Sequence, residues 1–276
     1  MTRHHRWRKL GISALVLGVT LLVGYASLVG PDQIEITKHR IGSQLVKTRP
    51  IRIVQLSDLH LRSIGNRERA LAIAVNRIQP DLLVLTGDVI DHRDGLSLLD
   101  EFLTLLGPSA KVAVLGNWEH WAEINRRDLR ALYETKHATK LLVNATADYQ
   151  FGDRKLNVIG LDDFTAGRPD LELLHNLPEG IPTIVLQHSP GLFQTSAFNW
   201  IAGHASLCVA GHTHGGQIAL FGRPLWTPRG SGEFTAGRYY NRFCPIYVSR
   251  GIGTSILPLR FGARPEIAVF ELYTLK

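Results

Sequence analysis

This sequence predicts an α/β fold in which helices cover the outer faces of the sheets, and three observations carry that reading. From about Thr48 onward, short apolar runs alternate with stretches of helical spacing. Five of those runs end in polar clusters rich in Asp, His and Asn. Between Leu141 and Leu161 the alternation gives way to short strand-like runs and polar turns, which predict a meander. Sheets with helices on their outer faces satisfy this pattern.

The elements follow in order. Arg3, His4, His5, Arg6, Arg8 and Lys9 make residues 1–9 a basic flank, and the uncharged run from Leu10 to Gly30 would span roughly 30 Å as a helix, enough to cross a bilayer core. The competing reading is a cleaved secretory signal. Gly24-Tyr25-Ala26 is a poor small-x-small site, however, and the run is longer than a signal core. A single-pass anchor in the cell's inner membrane is therefore expected, with the basic flank cytoplasmic and the rest on the non-cytoplasmic side. Residues 31–47 read as a connecting segment and 48–276 as one domain without internal repeats.

Within that domain, Ile51 to Leu56 is a buried strand and Arg67 to Ile78 a helix ended by Pro80. Leu82 to Leu85 is a strand, Leu96 to Leu106 a helix closed by Gly107-Pro108, Lys111 to Leu115 a strand and Asp128 to Lys136 a helix. Thr183 to Leu186, Leu207 to Ala210, Ile218 to Leu220, Ile246 to Ser249 and Ile267 to Leu272 complete the strands.

Composition narrows the class. With 276 residues, 45% hydrophobic and 20% charged, the chain can bury a sizeable core. The net charge of +7 suits an anionic partner, but no aromatic-interleaved basic stretch points to nucleic acid. Two cysteines, Cys208 and Cys244, exclude a disulfide-built scaffold and a thiolate zinc cluster. Cys208 lies in an apolar run and reads as a small core residue rather than a bridge partner.

The chemistry gathers at the strand ends. Ser57-Asp58-Leu59-His60 follows the first strand, Thr86-Gly87-Asp88 the second and Gly116-Asn117-Trp118-Glu119-His120 the third. Gln187-His188-Ser189-Pro190 follows the Thr183 strand, and Gly211-His212-Thr213-His214-Gly215-Gly216-Gln217 the Leu207 strand. Each cluster alone has an ordinary explanation as turn chemistry, a helix cap or a core histidine. Five strand ends in order do not, because loops at the ends of α/β strands are where ligands gather. A mixed oxygen and nitrogen donor set without thiolate suits Mn, Fe, Zn or Co, and seven donors fit two ions rather than one.

This ordered set resembles the calcineurin-like metallophosphoesterase superfamily, whose pattern runs D-x-H, G-D, G-N-H-[DE], H and G-H-x-H. The resemblance implies a four-layer α/β sandwich, two β-sheets flanked by helices, after the transmembrane helix. It assigns Asp58, His60 and His214 to one divalent metal, Asn117, His188 and His212 to the other, and Asp88 as the bridge between them. It further implies hydrolysis of a phosphoester by a hydroxide shared between two cations. The N-terminal anchor, the Gly215-Gly216-Gln217 run and the ending Arg264-Pro265-Glu266-Ile267 are similar to a membrane-anchored subgroup. That subgroup includes phosphodiesterases and enzymes cleaving UDP-2,3-diacylglucosamine in lipid A biosynthesis, so a phosphorylated small molecule or lipid-linked substrate is expected.

One position departs from the pattern. The histidine of G-N-H-[DE] is commonly the general acid, and here it is Trp118, whose indole N–H does not titrate in water. His120, two residues on, is the replacement the sequence offers. Arg250 and Arg260, flanking a Gly251-Ile252-Gly253 turn, are candidate phosphate contacts. Residues 221–240 read equally as a linker or as a wall over the site. Two rivals stand beside the phosphoesterase: a metal-binding scaffold that has lost catalysis, and a protein phosphatase or nuclease using the same metals.

Overall fold

The computed structural model describes residues 3–42, 49–201 and 203–273. Residues 1–2 of the basic flank, residues 43–47 of the connecting segment and Thr48 lie outside the described residues, as do the side chains of residues 3–10.

In chain order the first half runs α1 (Arg3–Leu28), β1 (Glu35–Ile41), β2 (Ile51–Leu56), α2 (Asn66–Ile78), β3 (Leu82–Thr86) and α3 (Gly95–Leu105). It continues through β4 (Ala110–Val114), α4 (Asn117–Trp121), α5 (Arg126–Arg130) and β5 (Thr139–Leu141). The second half runs β6 (Ala145–Phe151), β7 (Arg154–Gly160), β8 (Thr183–Leu186), α6 (Ser196–Asn199) and β9 (Leu207–Ala210). β10 (Ala219–Leu220), β11 (Arg223–Pro224), β12 (Gly237–Tyr240), β13 (Pro245–Val248) and β14 (Glu266–Leu272) complete it.

Two six-stranded sheets form, in the orders β1-β14-β2-β3-β4-β5 and β12-β13-β9-β8-β7-β6. In the first, β2, β3, β4 and β5 are parallel neighbours. In the second, β7, β8, β9 and β13 are. Strands covered on both faces can be apolar throughout, and the parity of each strand shows which face meets what. Ile53, Val84, Val112, Ile184, Leu186 and Val209 point between the sheets. Val54, Leu83 and Ala113 point to α2 and α3, whose Leu71, Val75, Leu99 and Phe102 share their cluster. Val185, Cys208 and Ala210 point away on the other side, against Phe193, Phe198 and Phe243. Three cores separate four layers, as expected for the sandwich.

Several elements differ from expectation. The segment taken as a connector supplies β1, which pairs in parallel with β14 along its whole length. Its charged residues hid it, because this edge strand alternates between half-buried and exposed residues. The helix expected over Asp128 to Lys136 is a short α5 running into a π turn at Ala131–Lys136. The meander resolves into β5 and a β6–β7 antiparallel hairpin. The reading of Cys208 as an unbridged core residue is overturned. It is bonded to Cys244, and the two Cα atoms lie 5.9 Å apart. Cys244 directly precedes β13, which runs beside β9, so the adjacent strands bring the two thiols within bonding reach.

Candidate metal centre

The ends of β2, β3 and β4 in one sheet and of β8 and β9 in the other meet at one edge of the sandwich. They bring all seven expected donors together, each buried. Asp58, His60 and His214 form one group and Asp88, His188 and His212 a second, with ligand atoms inside each group within 4.8 Å of one another. Oδ2 of Asp88 lies between them, 3.0 Å from His188 Nε2 and 3.8 Å from His60 Nε2. Asn117 Oδ1 completes the second group, 2.8 Å from His212 Nδ1 and 3.1 Å from His188 Nε2.

The backbone needed for this convergence is strained. Asp58, His60, Asp88, His212 and His214 all have positive φ, between 42° and 71°. Non-glycine residues avoid that region, and such outliers persist where surrounding structure enforces them. Gly211 explains why its neighbour fits: a Cβ there would lie 1.8 Å from Ser57 Oγ and 2.4 Å from Asp58 Oδ2. The close approach lets the His212 N–H donate to Asp58 Oδ1 at 3.0 Å.

The donors fit divalent cations. His60 Nε2 and His214 Nε2 face each other at 3.2 Å, with Asp58 Oδ1 3.4 Å from the latter. One ring can donate to the other across this gap, and a cation can take that proton's place with both Nε2 lone pairs turned to it. Outer contacts fix the tautomers in the manner of metal-bound histidines. His188 Nδ1 lies 2.7 Å from Thr86 O and His212 Nε2 2.7 Å from Arg229 O. Each ring donates there, which leaves the other nitrogen for a metal. His60 Nδ1 is buried without a hydrogen-bond partner, and Asp91 Oδ2 stands 3.6 Å away.

Charge is balanced in the same spirit. Burial opposes ionisation of Asp88, but the His188 and His60 imidazoles outweigh it and hold the carboxyl below the usual carboxylate range. Burial also pulls His188 down, yet the Asp88 carboxylate overcomes it and raises this imidazole well above its ordinary value. Burial, then His60 and Arg260, hold His214 well below its ordinary value, and burial with His188 lowers His212. The lowered values favour the neutral form that ligation requires at His212 and His214, whereas a metal at His188 must displace a proton that Asp88 helps to hold.

Glu119 is a further functional residue, beyond the seven donors. Its buried carboxylate accepts the N–H groups of Asp88, Val89, Ile90 and Gly116, at 2.7 to 3.2 Å, and so ties the end of β3 to the start of α4. Burial and the neighbouring Asp88 raise its pKa. Its position in the G-N-x-[DE] run was the available signal. Gln187 Oε1 similarly receives the His188 N–H, and Asp163 Oδ1 accepts from Ser189 Oγ at 2.5 Å.

A cavity of about 970 Å³ lies above the donors. Its walls include Trp118, Trp121, Phe164, Leu225, Trp226 and Leu257. Residues 221–240 therefore contribute a wall. Trp118 sits at the floor, its ring 6.0 Å from that of His60 and perpendicular to it.

Three expected site residues face elsewhere. His120 Nε2 is 2.8 Å from Asp162 Oδ1, its Nδ1 is 3.1 Å from Arg126, and it does not line the cavity. Arg260 is buried beneath the centre, where burial lowers its pKa to about 9. Its donors reach the carbonyls of Gly253, Ala263, His214 and Arg250 and the His214 ring. Arg250 pairs with Glu35 at 3.0 Å and Glu266 at 3.3 Å. Neither arginine lines the cavity: Arg260 braces the loop that carries His214, and Arg250 ties the turn after β13 to β1 and β14.

Comparison with known proteins agrees with this geometry. Residues 51–216 match the calcineurin-like phosphoesterases. The chain is similar to the uncharacterized metallophosphoesterase YkuE of Bacillus subtilis (strain 168), at 34% identity over 266 residues, 90% of this chain and 89% of that one. It is also similar to phosphodiesterase YaeI of Escherichia coli (strain K12), at 27% over 278 residues, covering 97% and 98%. A transmembrane protein with metallophosphoesterase domain from Bos taurus is 28% identical over 287 residues, 94% of this chain and 62% of that one. The chain belongs to the calcineurin-like phosphoesterases, metal-dependent hydrolases whose fold binds two divalent ions.

Proposed function

We propose that this protein is a membrane-anchored phosphoesterase that cleaves a lipid-linked phosphodiester or pyrophosphate on the non-cytoplasmic side of the inner membrane. The observation that carries this reading is the convergence of seven buried donors, in two groups sharing Asp88, at the floor of a mostly apolar cavity. Asp58, His60 and His214 would hold one cation, Asn117, His188 and His212 the other, and Asp88 both. Two bound divalent cations supply positive charge against the phosphoryl oxygens and lower the pKa of water.

The chain's own residues orient and exclude. Thr86 O and Arg229 O hold the His188 and His212 rings, Glu119 holds the Asp88 backbone, and the Trp118 ring lines the cavity edge-on to His60. Among the described residues lining the cavity, Asp88, His212, His214 and Arg229 are the titratable ones. Three of these are assigned to metals, and a guanidinium is a poor proton donor to a leaving group. No wall residue is therefore suited to protonate an alkoxide, which favours leaving groups stable as anions, such as phosphates.

Support for the anchor comes from the helix Gly11–Asp32, long and apolar enough to cross a membrane, and from the transmembrane relative. Support for the non-cytoplasmic side comes from the Cys208–Cys244 disulfide, because such bonds persist in oxidising compartments. UDP-2,3-diacylglucosamine has the right linkage and acyl chains, but lipid A precursors of this type are made on the cytoplasmic leaflet. The disulfide weighs against it. The apolar wall likewise disfavours a nuclease, whose affinity would rest on phosphate-neutralising basic groups.

The test is metal analysis of the full-length chain together with hydrolysis of bis-p-nitrophenyl phosphate and of a lipid pyrophosphate. Two metals per chain and metal-dependent turnover are expected. Asp88→Asn should lower the stoichiometry below two and reduce turnover by roughly 10²-fold or more. Normal turnover in that variant would sink the dinuclear reading. Full metal loading in the wild type without hydrolysis of either substrate would favour the scaffold alternative, which Trp118 supports.

A further inference from the structure

The mouth of the cavity is rimmed by side chains a soluble surface rarely exposes together. Leu225, Trp226, Ile256 and Leu257 line it and Phe221 tips the β10–β11 hairpin that leads to Leu225, with exposures from 53% at Leu257 to 103% at Phe221. Exposed apolar groups of this size in one patch mark an interaction surface. Phe221 and Ile256 also hold positive φ, 52° and 59°, which is a costly backbone for a β-branched residue such as Ile256. The two loops are one unit. Gln217 Nε2 donates to Leu257 O at 2.8 Å, Phe261 N to Gln217 O at 3.0 Å and Leu225 N to Ile218 O at 3.0 Å.

That unit is fastened to the end of α1. Arg260 N donates to Ala26 O at 2.8 Å, and the Phe261 ring meets Tyr25 edge-on at 6.1 Å. Gly30 allows the contact, since a Cβ there would lie 2.0 Å from Arg260 O. The apolar run of the span continues through Val29. If α1 crosses the bilayer, its last turn lies at the membrane boundary, and the loop hydrogen-bonded to that turn lies at the same level. Tryptophan at such a boundary, with exposed Arg223 in its own loop and exposed Arg264 beside Phe261 near the end of α1, is the composition of a membrane-facing rim.

We propose that the rim formed by Phe221, Leu225, Trp226, Ile256 and Leu257 dips into the leaflet that α1 leaves, so that the cavity opens onto the bilayer and receives its substrate from the lipid phase. This rests on the anchored, lipid-directed reading above. It adds a binding surface whose occupant is the bilayer itself.

The full-length chain reconstituted in phosphatidylcholine and phosphatidylglycerol vesicles with brominated acyl chains provides the test, since bromine quenches indoles that reach it. Trp226→Phe should lower the bromine-quenched emission by about a third or more. Phe221→Asp changes a fully exposed side chain outside the cavity. It should leave bis-p-nitrophenyl phosphate hydrolysis within twofold and cut turnover of a vesicle-embedded pyrophosphate lipid at least tenfold. Unaltered quenching in Trp226→Phe, or equal effects of Phe221→Asp on both substrates, would overturn the proposal. So would shielding of Trp226 that appears only as protein density in the vesicle rises, because the face would then bind a second copy of the chain. If the wild type hydrolyses neither substrate while Trp226 is quenched by bromine, the rim stands and the enzymatic reading falls.

Discussion

Trp118 replaces the titratable group that this position usually carries, and the consequence is chemical rather than architectural. Its backbone N–H still donates to Asp88 Oδ1 at 2.8 Å, so that carboxylate is held as it would be with a histidine there. What the indole lacks is a proton to give. Trp118→His should therefore raise turnover of an alkoxide-leaving phosphodiester by roughly 10²-fold while scarcely changing a p-nitrophenyl ester. A rate series against leaving-group pKa measures this, and a slope as steep as the wild type's would defeat it. His120→Ala, by contrast, should slow both substrate types alike, because His120 faces Asp162 and Arg126 rather than the cavity. Most of the site was legible at this scale because each donor directly follows an apolar run, so strand ends could be read from the sequence alone. Two things were not legible. Side-chain direction separates Trp118 from His120 and sends Arg250 and Arg260 to carbonyls and carboxylates, and positive φ at Asp58, His60 and His214 has no marker in non-glycine residues.

Among the elements, the central strands were visible as apolar runs because both their faces are covered. β1 was missed because only one face is, and its Lys38, His39 and Arg40 read as a polar connector. The bridge between β9 and Cys244 was missed for a different reason. Whether two thiols meet depends on which strands become neighbours, and β13 lies beside β9 although a long segment of chain separates them. That closure has energetic weight. The linked residues are 36 apart, and chain-entropy reasoning for a loop of this size gives about 3–4 kcal/mol. Cys244→Ser should lower stability by up to that amount in urea titration. Dithiothreitol should shift the native protein toward the same midpoint and leave the variant unmoved. Equal midpoints for native and variant protein without reductant would show that the bond contributes nothing to stability.

For the whole molecule, the decisive feature is that neither sheet holds the metal centre alone. One sheet supplies Asp58, His60, Asp88 and Asn117, and the other supplies His188, His212 and His214. Between the sheets the packing is apolar and non-directional, with Val84, Val112, Ile184 and Leu186 in one cluster. At the edge the two sheets present buried carboxylates and imidazoles to each other, and Asp58 and Asp88 both lack a guanidinium or ammonium partner among the described residues. Buried like charges of this kind are costly unless compensated. Cations bound there would tie the sheets together, and that part of folding stability should depend on metal. A ligand bound to the native state alone at a hundredfold excess over its Kd contributes about 2.7 kcal/mol per site. In a domain of this size that corresponds to roughly 5–10 °C in Tm for each site. Chelation should therefore lower Tm by at least that much, and adding back Mn, Zn, Co or Fe should restore it. On the proposed sharing of Asp88 by both ions, the same treatment should produce a smaller shift in Asp88→Asn. Scanning calorimetry of the wild type and this variant, with and without chelator, makes the comparison. A wild-type Tm indifferent to chelator would mean that apolar packing alone holds the two sheets in register.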